Sequence, residues 1–269
     1  MLDSIFENLS TSEMSTGFLI DRSFPLVRYE LYDGLGLHDS NKCSYSEWMR
    51  LFGTLYQGNM HEEEQLPGPQ AVKDTFGAYT AQDYLSIGII DVEYDKLKDS
   101  AVADSLVYFS GIQIFDVEGR PESPFELKQA FAAATSARVP IEAGISFIVP
   151  SALYLARTDK TVSSIEIDFA DGQGYTEVSW NTPVQVSYST GGEKVIKVRI
   201  NYTDESENIS HFAIEVIDPN GRYGDGPDET ILIPAVQGVH NGGRIDIAYG
   251  CGNDKLLKPL IVVEGINAP

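Results

Sequence analysis

The stretch from residue 165 to residue 202 constrains this chain most. Ile165, Ile167 and Phe169 alternate with Glu166 and Asp168, the period-2 pattern of a strand with one buried face. Ala170-Asp171-Gly172-Gln173-Gly174 follows, a run of small and turn-forming residues that ends the strand in an acidic, glycine-rich loop. Val184, Val186 and Tyr188 alternate next and lead into Ser189-Thr190-Gly191-Gly192. Ile196, Val198, Ile200 and Tyr202 form a third alternation, with Lys197, Arg199 and Asn201 on the opposite face. Three strands with glycine-marked turns between them predict the core of a β-sandwich.

Strand signals continue on both sides of this core. Alternating or apolar runs cover residues 85–92, 106–109, 112–117 and 145–149 before it, and Phe212, Ile214, Val216, Ile231, Ile245, Ile247 and Tyr249 after it. Residues 95–105 read as a polar connection. Residues 125–135 are ambiguous: the Ala, Leu, Glu, Lys and Gln content favours helix, the β-rich setting favours strand, and the balance falls on a strand at 129–134. The N-terminal part differs from all of this. Ser44 and Glu47 have capping-box spacing ahead of Trp48, Leu51, Phe52, Leu55 and Tyr56, so a helix is expected there, ending near Gly58. The reading divides the chain into a helical, loop-rich region (1–82), a β-rich region (83–137), the sandwich core (138–203), additional strands (204–258) and a closing apolar strand (259–269) that could open a further domain.

Charge removes several function classes. The chain carries 40 Asp and Glu against 19 Lys and Arg, a formal charge of −21, which repels phosphate backbones and anionic lipid headgroups. Nucleic acid is therefore not an expected partner, and no apolar run is long enough to span a membrane as a helix. Cys43 and Cys251 are far apart and form no CxxC, so zinc and redox sites have no support, while one disulfide and two free thiols remain equally consistent. The N-terminus shows neither a basic nor an apolar signal region.

Residues 165–202 resemble a PKD-type immunoglobulin-like domain. Asp168-Phe169-Ala170-Asp171-Gly172 follows that family's Asp/Phe/Gly/Asp/Gly loop with Ala170 in place of a glycine, and Val186-Ser187-Tyr188, Gly191-Gly192 and residues 194–200 match the remainder. The fold class this implies is mainly β, an immunoglobulin/PKD-like β-sandwich with a small helical, loop-rich N-terminal region. More broadly, Ser15-Thr16-Gly17-Phe18-Leu19-Ile20-Asp21-Arg22, the predicted helix, the DFADG loop and Lys258-Pro259-Leu260-Ile261-Val262-Val263-Glu264-Gly265 are similar to the N-terminal parts of large secreted Bacteroidota proteins. The last run also resembles the first strand of an α/β-hydrolase domain, with Glu264-Gly265 where that family has His-Gly. These resemblances imply an extracellular or cell-surface module that supports or binds, with a glycan or a cell-surface protein as partner. The alternative they leave open is the accessory front end of a secreted esterase or lipase whose catalytic residues lie beyond Pro269.

No complete catalytic set is visible. There is no GxSxG, and Gly144-Ile145-Ser146-Phe147 has the pattern of a strand. His38, His61, His211 and His240 are scattered without metal-ligand spacing and read as surface or turn residues. Two binding candidates remain. Asp218, Asn220, Asp225, Asp228 and Glu229 gather hard oxygen donors on one loop, the ligand type that Ca²⁺ requires. Trp180, ahead of Asn181-Thr182-Pro183, could present a ring to a glycan or pack beneath its turn.

Overall fold

A computed structural model describes residues 2–22, 26–60, 66–136 and 141–217, together with the backbone of two further strands. Three helices come first: α1 (Leu2–Phe6), α2 (Tyr45–Gly58) and α3 (Pro69–Thr80). In α2 the Glu47 N–H donates to Ser44 Oγ at 3.2 Å and the Ser44 N–H donates to Glu47 Oε2 at 2.9 Å, the expected capping box. Trp48, Leu51, Phe52 and Leu55 are fully buried on one side of this helix. Helix α3 has no comparable stripe. Only Val72 and Phe76 bury in it, one i,i+4 pair behind a Pro69 start, which is too little periodicity to stand out in the sequence.

The strands are β1 (Tyr84–Leu97), β2 (Val107–Ser110), β3 (Gln113–Asp116), β4 (Phe125–Thr135), β5 (Gly144–Ile148), β6 (Tyr154–Arg157), β7 (Val162–Asp168), β8 (Tyr175–Val178), β9 (Val184–Ser187), β10 (Gly192–Tyr202) and β11 (Glu207–Val216). A separate antiparallel pair, β12 (Glu229–Ile233) and β13 (Gly243–Ile247), follows. One sheet has the order β4-β1-β5-β9, with β6 also pairing β1, and a second has the order β11-β10-β7-β8. Their inner faces share one apolar core, in which Ile87, Ile89, Phe131 and Phe147 meet Ile165, Ile167, Val198, Ile200, Phe212 and Ile214. The protein is thus mainly β, two sheets packed face to face with a small helical region, as the alternation predicts.

Strand β1 organises both halves. Its even positions, Ile90, Val92 and Tyr94, join Ala130, Ala132 and Ala134 of β4 beneath Trp48, Leu51, Phe52 and Phe76. Its odd positions, Leu85, Ile87 and Ile89, join Phe131 and Ala133 in the sandwich core. A strand buried on both faces has no polar side to alternate, which is why this one reads as a continuous apolar run. The strand continues to Leu97, beyond the polar connection expected from residue 95, because Asp95 is anchored inside the fold. β4 likewise fills all of Phe125–Thr135 and pairs β1 along its whole length. Its alanines are good helix formers, but here their small side chains let two aromatic-rich helices sit close to the sheet, and tertiary packing overrides propensity.

The N-terminal region also seals the sandwich. The Phe131 N–H donates to Tyr32 O at 2.7 Å, the Ile209 N–H to Gly34 O at 2.9 Å and the Cys43 N–H to His211 O at 2.8 Å, so the segment carrying residues 32–43 runs between β4 and β11 and occupies their edges. Gly34 has φ +80°, and a Cβ there would stand 2.9 Å from Asn208 Oδ1, so glycine is required at this crossing.

Candidate functional site

The most concentrated chemistry in the described residues is internal. The side chain of Asp91 follows Ile87 and Ile89 on the sandwich face of β1 and is fully buried. Its Oδ2 accepts from the hydroxyls of Tyr154 at 2.7 Å and Tyr202 at 2.9 Å. Its Oδ1 accepts from Gln129 Nε2 at 3.2 Å and Asn208 Nδ2 at 3.4 Å. Asn208 also donates to the Tyr202 hydroxyl at 2.7 Å, so that oxygen both gives and receives. Lys160 Nζ lies 4.9 Å from the centre of the Tyr202 ring. Burial pushes the Asp91 carboxyl above the usual carboxylate range, and the donors from Tyr154, Tyr202 and Gln129 pull part of the way back. Burial followed by the neighbouring Asp91 raises both tyrosines well above their ordinary value. The network joins strands β1, β4, β6, β10 and β11 at one point and turns its polar atoms on each other. Its chemistry is that of a fastener between sheets.

Further along the same face of β1, Asp95 Oδ1 accepts from the Ser15 N–H at 3.2 Å and the Ser15 hydroxyl at 3.1 Å. Asp95 Oδ2 accepts from the Thr16 N–H at 2.9 Å and the Thr16 hydroxyl at 2.6 Å. This carboxylate fixes the N-terminal loop in place. Between the two acids, Glu93 borders an open polar cavity of about 410 Å³ with Ser15, Thr16, Arg157, Thr158 and Asp159.

The acidic loop after β7 is organised from within. Asp168 Oδ2 meets Lys197 Nζ at 2.9 Å and its Oδ1 accepts from the Ala170 N–H at 3.0 Å. Partial burial opposes ionisation of Asp168, and the Lys197 ammonium with the backbone donor outweighs it and lowers the carboxyl below its usual range. Asp171 accepts from the Gln173 N–H at 3.0 Å. Ala170, where the resembling family has glycine, has φ +57°. The loop adopts the left-handed conformation that the glycine would favour, at the cost of placing an L side chain there.

Trp180 stands in the turn between β8 and β9, half-buried, its ring 4.8 Å from that of Tyr154 and packed on the sandwich core. One of its faces is therefore used in packing beside a member of the Asp91 network. Asp218, Asn220, Asp225 and Asp228 lie outside the described residues, and Glu229 is the first residue of β12. Among the described residues no group of three or more His, Cys, Asp or Glu is arranged to hold a metal ion. The histidine reading needs one correction: His211 is buried, where the segment carrying Lys42 and Cys43 pairs along the edge of β11. Its Nδ1 has no hydrogen-bond partner, and burial lowers its pKa, reinforced by Lys42. His61, His240 and Cys251 lie outside the described residues. Cys43 is a buried free thiol, held protonated by burial. No described helix is long and apolar enough to cross a membrane.

Sequence reasoning missed the Asp91 network. A single acid in an apolar strand was its one visible signal, since its partners come from 38 to 117 residues away. The chain matches no protein-family profile and no curated protein.

Proposed function

We propose that this chain is a non-catalytic structural and binding module of an extracellular or cell-surface protein, and that its second half is an immunoglobulin/PKD-like sandwich. The chain path supports the second part of this reading. It runs from β5 and β6 in the first sheet to β7 and β8 in the second, returns to the first with β9, and enters the second again with β10 and β11. In immunoglobulin terms β5 and β9 stand where strands B and E stand, and β7, β8, β10 and β11 where C, C′, F and G stand. The left-handed turn at Ala170 fits the same assignment.

The observation that carries the functional reading is the use made of the buried acid. Asp91, with four donors, fastens one sheet to the other and spends its hydrogen-bonding capacity on the fold. This is how a rigid support is built. Labelling of intact cells of the source with a membrane-impermeant amine reagent, beside an assay of the purified chain on a chromogenic ester, tests the proposal. Labelling without turnover is the expected result. Turnover, or protection from the reagent until the cells are lysed, would overturn it.

A further inference from the structure

The β2–β3 hairpin carries three exposed large apolar side chains within five residues. Residues 105–115 carry no charge in a chain of net charge −21. Val107 and Ile114 are buried in a small core with Leu106 and Phe125, whereas Phe109, the cross-strand partner of Ile114, is 59% exposed and Ile112, in the turn, 66%. Tyr108 is also exposed, and its ring stacks across the strands on Phe115, with centroids 5.3 Å apart and planes 16° apart. Val102, just before β2, is another exposed apolar residue. Tyr108 with Phe115 lies on one face of the hairpin and Phe109 on the other, so the end near Ile112 exposes large apolar side chains on both sides, which is unusual on a surface that serves only solubility.

The hairpin is held rigidly. Asp116 at its base pairs with Arg120 and accepts from the Ser10 N–H, and Arg120 also pairs with Glu13 at 3.0 Å. Gln113 Nε2 donates to Ser4 O at 3.1 Å, tying β3 to α1. The aromatic tip is thus presented in a fixed position and loses little freedom on binding.

Charge identifies what the tip can meet. The cations nearest in sequence are spent: Lys96 on Asp99, Lys98 on Glu122 and Arg120 on Asp116 and Glu13. Asp104 and Glu118, which flank the hairpin on its two sides, have no cation partner among the described residues. An apolar patch with a net acidic rim suits a ligand with basic residues around an apolar anchor. A second copy of the chain would bring another −21 to the contact, which opposes self-association.

We propose that this hairpin is a docking surface for a basic protein segment, with Tyr108, Phe109 and Ile112 as its anchoring side chains. This rests on the binding-module reading above and gives that module its partner chemistry.

The test is selection of a phage-displayed random peptide library on the whole chain, with each recovered peptide then measured against the Tyr108→Ser/Phe109→Ser/Ile112→Ser variant. The three positions lie outside the two large cores, so the variant keeps its circular dichroism, and its melting temperature falls only by what the lost Tyr108–Phe115 stack contributes. Recovered peptides are expected to combine Lys or Arg with an aromatic or aliphatic residue and to lose about tenfold or more in affinity to the variant. Their binding is also expected to weaken as salt rises from about 50 to about 500 mM. Recovery of only hairpin-independent or uncharged peptides would overturn the proposal. So would dimerisation in sedimentation, or glycan-array binding, that the triple substitution abolishes. Ester turnover by the variant and the parent alike would refute the non-catalytic reading while leaving hairpin-dependent peptide binding intact.

Discussion

The two faces of β1 solve the same burial problem differently. Toward the helices the strand offers Gly88, Ile90, Val92 and Tyr94, and the helices answer with stacked and edge-on aromatics: Trp48 lies 5.9 Å from Phe52 and 5.4 Å from Phe76. Toward the second sheet it offers Leu85, Ile87 and Ile89 and then Asp91, so an apolar core gives way to a polar fastener. The first face is held by shape and the second, at one end, by direction. Apolar packing tolerates small shifts in register, whereas four hydrogen bonds to one carboxylate do not. The apolar cores on both faces therefore supply bulk stability, and Asp91 sets how the two sheets align.

Removing the fastener should have the largest effect. Asp91→Leu removes the shared acceptor, so the Tyr154 hydroxyl and the Gln129 amide lose their partner while Asn208 and Tyr202 keep only their bond to each other, and each buried orphan costs about 1–3 kcal/mol. We expect a loss on the order of 3 kcal/mol in urea unfolding. The same substitution combined with Tyr202→Phe should cost less than the sum of the two singles. A loss below about 1 kcal/mol would mean that the network is incidental. The effect should also depend on pH. Because burial raises the Asp91 carboxyl in the folded state, its favourable contribution is fully present below the unfolded value near ~3.9 and is lost as pH rises through the folded value. The gap between protein and variant should narrow in that direction.

On the other face, Gly88→Ala should cost about 1–3 kcal/mol by overpacking, since the new Cβ would press into the Phe76 ring and lie 3.2 Å from Trp48. Combining it with Phe76→Leu should recover part of that loss. An uncompensated loss would place the strain in the strand itself. The smallest expected change is a gain. Ala170→Gly relieves a left-handed alanine and should raise stability by about 0.5–1 kcal/mol, read as a higher urea midpoint with unchanged slope. A loss there would show that Asp168 and Lys197 hold the turn well enough for alanine's lower unfolded-state entropy to dominate.

The same contrast explains what could be read in the sequence. The helix at Trp48 and the strands at Ile165, Val184 and Ile196 were legible because each has one wet and one dry face. β1 and β4 were partly hidden because both of their faces are dry, and α3 because only Val72 and Phe76 mark it. Asp91, Tyr154, Tyr202 and Asn208 could not be linked, since nothing local ties residues so far apart. The hairpin was legible as two strands, but that Tyr108, Phe109 and Ile112 stay exposed depends on what the fold leaves uncovered.

Because β1 contributes to both cores, the helical and sandwich halves should unfold as a single cooperative unit. The chain contains two tryptophans, Trp48 in the helical core and Trp180 against the sandwich, so each half carries its own reporter. Biosynthetic 5-fluorotryptophan labelling gives each ring a ¹⁹F resonance that can be followed through a urea titration without mutation. A shared strand predicts that both native resonances disappear at the same urea concentration. Loss of one while the other persists at native intensity would contradict it.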